Sequence, residues 1–139
     1  MSETTLDSAN ARDALRELGN ALDRLDDALA RDVSQDSLVL DATIQRFEFC
    51  VELTWKTLKK LLEAEGEDAT TPKQTLQKAY ASGWIDDEAQ WLAMLKDRNL
   101  SSHTYKQKLA QEVYGRVGGH ARAMRALYVF LIKRYGAPV

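Results

Sequence analysis

Leucines recur near the start of the chain at alternating steps of three and four: Leu15, Leu18, Leu22, Leu25 and Leu29. That spacing places them along one side of an α-helix, with Arg and Asp filling the other faces. It predicts a first helix over about residues 7–31. The polar run from Asp32 to Ser37 ends it, and Asp36 or Ser37 can cap the next. The second predicted helix covers about 38–64. Leu40, Ile44, Phe47, Val51, Leu58 and Leu62 form its main stripe, which Phe49, Leu53 and Trp55 widen. A stripe that broad predicts burial against more than one neighbour, a second subunit among the options. Gly66 marks its exit.

Thr71-Pro72-Lys73-Gln74 is a strong helix start, with Thr at N-cap, Pro at N1 and Gln at N3. The short helix it opens stops at Ser82-Gly83. Asp86 or Asp87 starts another, with Trp84 and Ile85 placed as a staple and Trp91, Leu92 and Leu95 on its inner face. The last helix begins near 104–108 and runs to about Tyr135. Its seam is Leu109, Val113, Val117, His120, Met124, Leu127 and Leu131. Gly118-Gly119 interrupts it, at a cost of roughly 1 kcal/mol per glycine relative to alanine. Close approach of a neighbouring helix, or a slight bend, is the expected compensation.

No strand pattern, internal repeat or low-complexity segment is visible. The expectation is an all-α, up-down four-helix bundle with one additional short helix. It forms a single domain over 1–139, ordered over about 7–135. Hydrophobic residues make up 45% and charged residues 29%, the balance of an ordinary globular protein. No apolar run suggests a membrane span, and Met1-Ser2-Glu3-Thr4-Thr5 has neither a basic start nor an apolar block. Cys50 is the only cysteine, so no internal disulfide forms, and a cytoplasmic location is the simplest expectation.

Charge is unevenly spread. The net charge of −2 argues against non-specific nucleic-acid binding through overall charge. Residues 1–40 carry nine acids against four bases, while no acid follows Glu112, where Arg116, Arg122, Arg125, Lys133 and Arg134 accumulate. Those cations either face the acids of the first helix or line a groove for a polyanion.

The chain offers little for metal or nucleotide chemistry. Two histidines and one cysteine, without metal-ligand spacing, predict no metal site and no cofactor. Neither a P-loop nor a nucleophile elbow is present. His120 lies on the inner seam and reads as a core histidine. Asp86-Asp87-Glu88 reads as capping at a helix start. Glu48 and Glu52 share a face of the second helix. They can pair with Arg46, with Lys56 or with a base on another helix, and one of them can orient Arg98.

The densest chemistry lies in Arg98-Asn99-Leu100-Ser101-Ser102-His103-Thr104-Tyr105, at the junction of two helices. A permanent guanidinium and an imidazole that titrates near neutrality suffice, in principle, to cut a phosphodiester. On spacing alone, Arg98 can equally cap helix carbonyls and His103 can be a polar loop residue.

This stretch resembles the Arg-x4-His-x-Tyr signature of HEPN-domain proteins. Arg46-Phe47-Glu48-Phe49-Cys50-Val51-Glu52-Leu53-Thr54-Trp55-Lys56-Thr57-Leu58-Lys59, Thr71-Pro72-Lys73 and Trp91-Leu92-Ala93-Met94-Leu95 are similar to one subfamily, the substrate-binding partners of minimal nucleotidyltransferases. The likeness covers about residues 40–135. It implies a dimeric four-helix bundle acting as a metal-independent ribonuclease toxin, with an MNT-type nucleotidyltransferase as antitoxin. It also implies Arg98, Asn99 and His103 as catalytic residues and Tyr105 as a site where AMP units are attached. Glu48, Glu52 and Ser102 are expected in support. The expected partners are a second copy, the nucleotidyltransferase and RNA, with neither DNA nor membrane. The alternative is a non-catalytic subunit that binds substrate or nucleotide for the nucleotidyltransferase.

Overall fold

The computed structural model describes residues 2–103 and 106–136, with side chains from residue 9 onward. Five α-helices follow one another: α1 (Ser2–Leu29), α2 (Ser37–Ala64), α3 (Pro72–Ala81), α4 (Glu88–Leu100) and α5 (Gln107–Tyr135). A 3₁₀ turn, Ser101–His103, joins the last two. The fold is the expected helical bundle, with α3 as the short additional helix. Among the described residues no helix is long and apolar enough to cross a membrane.

Each boundary has a local cause. The Asp36 side chain accepts from the Leu38 amide at the start of α2. Thr71 Oγ1 accepts from the Gln74 amide at 3.1 Å, and Gln74 Oε1 returns to the Thr70 amide at 2.8 Å, one residue earlier than a standard capping box. Asp87, rather than Asp86, caps α4 through the Gln90 amide. Gly66, Gly83 and Gly136, all with positive φ, follow α2, α3 and α5. α1 starts at Ser2, ahead of the expected residue 7. Residues 2–10 hold no glycine or proline to stop it.

α2 is the hub, packing against α1, α3, α4 and α5. The α1 seam of Leu15, Leu18, Leu22 and Leu25 is fully buried with Phe47, Leu58, Leu61, Met94, Met124 and Leu131. Phe49 departs from expectation. It is 59% exposed beside a groove of about 370 Å³ between α1 and α2, lined by Ala21, Arg24, Ala42, Gln45 and Arg46. It therefore does not widen the buried stripe of α2 within this chain.

The tight glycine contact also lies elsewhere than expected. A Cβ on Gly118 would meet only Arg122, at 3.8 Å, and one on Gly119 would sit 3.5 Å from the Gln90 amide, in ordinary contact. Long polar side chains, not a helix backbone, occupy the space there. Gly19 of α1 is the crowded one, since a Cβ there would lie 2.6 Å from the Tyr128 hydroxyl of α5.

Candidate active site at the α4–α5 elbow

α4 ends in Asp97-Arg98-Asn99-Leu100, and its last carbonyls are capped by serines rather than by Arg98. The Ser101 hydroxyl donates to the Arg98 carbonyl at 2.5 Å, and the Ser102 hydroxyl to the Asn99 carbonyl at 2.9 Å. These bonds tighten the chain into the 3₁₀ turn and set His103, exposed, at its end. Ser102 thus serves the elbow's backbone.

With its capping duty taken over, the Arg98 guanidinium turns back to α2. One terminal nitrogen pairs with the Glu52 carboxylate and the other donates to Asn99 Oδ1 at 3.0 Å. The second oxygen of Glu52 accepts from the Trp55 indole at 3.1 Å and lies 3.8 Å from the Lys56 ammonium. Glu52 is therefore the carboxylate that orients Arg98. Glu48, one turn earlier and half-buried, takes no part in that pair. Arg46 turns instead to the Arg24 carbonyl of α1, at 2.7 Å. Arg98, Asn99 and His103 share the elbow, with Glu52 behind the arginine. Tyr105 and Thr104 lie outside the described residues.

A second set of contacts escaped sequence reasoning. Asp97 is buried and accepts from Arg116 Nε and from one Arg116 terminal nitrogen, both at 2.8 Å. His120 Nε2 lies 2.8 Å from Oδ2, the oxygen that also accepts from Arg116 Nε, and Gln90 Nε2 lies 3.5 Å from His120 Nδ1. With the Gln90 amide nitrogen directed at Nδ1, Nε2 is the ring nitrogen that donates to Asp97. The imidazole stacks on Phe47 with centroids 5.6 Å apart. His120 is the satisfied core histidine that its seam position implied. Burial pushes the Asp97 carboxyl up, but the bonds from Arg116 and His120 prevail and hold it below the usual carboxylate range. One signal was available in the sequence: an acid in the last turn of a helix opposes the dipole and needs a cation nearby.

The cations of α5 divide their roles. Arg125 reaches Asp23 and Asp26 of α1 at 2.9 and 2.8 Å, as the pairing alternative has it. Arg134 pairs with Glu65 at the end of α2, and Arg116 serves Asp97.

Residues 9–133 match the family described as "Nucleotidyltransferase substrate binding protein like". The chain belongs to this family. Among curated relatives, a Haemophilus influenzae protein named "Probable ribonuclease HepT" is 37% identical over 90 residues. That match covers 61% of this chain and 61% of the relative's length. A crystal structure from Thermus thermophilus superposes with a TM-score of 0.76 at 34% identity, covering 82% of this chain and 98% of the other. A second structure, from Haemophilus influenzae, gives a TM-score of 0.65 at 29% identity, covering 88% and 98%. It was described as revealing "the fold of a substrate binding domain of a nucleotidyltransferase". The family's helical bundle and its tie to nucleotidyltransferases thus frame the elbow.

Proposed function

We propose that this protein is a HEPN-type ribonuclease toxin of the cytoplasm, active as a dimer and neutralised by an MNT-type nucleotidyltransferase. The observation that carries this reading is the elbow itself. An oriented guanidinium, an amide and an exposed imidazole share one helix end, in the signature's order. The name of the Haemophilus relative points the same way.

The chemistry needs only these groups and RNA. The 2′-hydroxyl attacks the adjacent phosphorus and gives its proton to a neutral His103. The phosphorus–O5′ bond breaks, and O5′ takes a proton from an imidazolium. The products are a 2′,3′-cyclic phosphate and a free 5′-hydroxyl. Arg98 stabilises the charge that develops on the phosphoryl oxygens, and Asn99 holds the guanidinium flat for it. One elbow brings one junction histidine, so base and acid come from two copies related by a two-fold axis. The α2 face bearing Glu52 also carries exposed Phe49 and, further along, Leu38, 59% and 68% exposed, an apolar surface suited to such a contact. DNA lacks the nucleophile and is left intact.

Attachment of AMP to Tyr105, two residues from His103, would place bulk and negative charge on the cleft and repel RNA. Intact mass after co-expression with the adjacent nucleotidyltransferase reads this directly, and Tyr105→Phe removes the gain.

His103→Ala is the test of the main reading. Wild-type protein expressed alone slows growth and cleaves RNA in vitro, whereas the variant does neither. If the wild type is harmless and leaves RNA intact, the second reading takes its place. In that reading the elbow holds a nucleotide or substrate for the nucleotidyltransferase, as the family description favours.

A further inference from the structure

Two adjacent residues at the end of α4 make ion pairs of opposite sense to two different helices. Asp97 offers its carboxylate to Arg116 and His120 of α5, and Arg98 offers its guanidinium to Glu52 of α2. Successive side chains leave a helix about 100° apart, so the two contacts hold α4 from two sides. The Asp97 side is the more buried, with the Asp97 and His120 side chains only 4% and 5% exposed. Both carboxylate oxygens face donors, and the arginine approaches them as a two-pronged fork.

We infer that Asp97, with Arg116 and His120, is the positioning group of the elbow. Its carboxylate fixes the last turn of α4 and so places Arg98 and His103 for phosphodiester cleavage. Asp97 and His120 are buried, and the Arg116 guanidinium is engaged by both oxygens of Asp97. His120 is too buried to exchange protons with RNA, and its ring is committed to Asp97, Gln90 and Phe47. Their effect passes through the backbone from Asp97 to Arg98 and on through the serine-capped turn to His103. This inference rests on the ribonuclease reading for its consequence in catalysis, and on the geometry alone for its consequence in local order.

The test uses the full chain and two readouts. In Asp97→Asn the amide presents a donor where Arg116 and His120 also donate, so the clamp opens. Amide hydrogen exchange across 98–103 and 106 accelerates by roughly tenfold or more, while the buried α1 seam keeps its protection. RNA cleavage loses roughly 10- to 100-fold in kcat, the cost of misplacing a catalytic group by about an ångström, with KM little changed. Arg116→Ala, at a half-exposed position, opens the clamp more gently and serves if Asp97→Asn does not fold. Arg116→Lys restores one charged donor and recovers part of both signals. Unchanged exchange at the elbow in Asp97→Asn and Arg116→Ala overturns the inference, as does acceleration spread evenly over the bundle. Faster exchange with full cleavage overturns its catalytic half. A wild type that cuts no RNA defeats the ribonuclease reading instead, and the exchange readout still decides whether Asp97 orders the elbow.

Discussion

The Arg98 guanidinium rests on the carboxylate of Glu52, a residue 46 positions earlier in the chain and on a different helix. Their side chains are 20% and 39% exposed, so the pair is reachable by solvent without being fully solvated. Its role is geometric, since an arginine at the end of a helix otherwise samples many rotamers.

Glu52→Gln keeps the shape and an acceptor oxygen but removes the charge. Solvent screening limits the loss of stability to about 0.5–1 kcal/mol. If the proposed ribonuclease activity holds, RNA cleavage falls by roughly tenfold, because Arg98 is no longer held in one orientation. Thermal melting and a cleavage assay, run side by side, separate the two effects. A large loss of stability with full activity would assign Glu52 to the fold instead.

Acid should weaken the Asp97 clamp. The carboxyl titrates in the folded protein below its ordinary value of 3.8. The unfolded chain therefore takes up this proton first as pH drops. The stabilisation is complete above about pH 4 and is lost as pH falls through the lower, folded value. Asp97→Asn costs about 3 kcal/mol at neutral pH by leaving buried donors poorly matched. Urea unfolding at pH 7 and at pH 3 should show the gap between wild type and variant narrowing in acid.

Gly19 leaves room for the Tyr128 hydroxyl. A larger residue drives the Tyr128 ring off α1 and away from Arg125, whose guanidinium carbon lies 5.6 Å from its centroid. Gly19→Val destabilises by roughly 2–3 kcal/mol. Tyr128→Ala in the same chain recovers part of that loss, which denaturant titration of the double-mutant cycle measures.

Cys50 should be inert while the protein is folded. It is fully buried, its thiol donates to the Ala21 carbonyl at 3.2 Å, and burial together with nearby Asp26 pushes its pKa up to about 12. Thiolate is the reactive form, so labelling by a thiol reagent at pH 8 should run at least roughly 100-fold slower than for a free cysteine. Added denaturant restores the full rate, and rapid labelling of native protein would contradict the burial.

Much of this molecule was legible along the chain because its signals are local. The Thr71-Pro72 start, the Asp36 and Asp87 caps and the leucine seam of α1 each act within a turn or two. The Arg98–His103 elbow was legible for the same reason. What stayed hidden depends on the register between helices. Nothing near Asp97 announces Arg116, nineteen residues on, or says that Gly19 meets Tyr128. Gly118 and Gly119 drew notice as an uncommon pair, yet they face flexible side chains, and the demanding glycine stood alone in α1. Phe49 fits a helical stripe in one dimension but falls on its outer margin once α1 takes its place.

The opposed pairs at Asp97 and Arg98 carry a mechanical corollary. Rolling α4 about its own axis in one sense stretches the link to α5, and rolling it the other way stretches the link to α2. Torsion is resisted in both directions, so the end of α4 keeps one azimuth, and the chain leaves Leu100 along the single path that the two serine hydroxyls brace. Cutting either link would therefore turn Arg98 and His103 together rather than one of them alone.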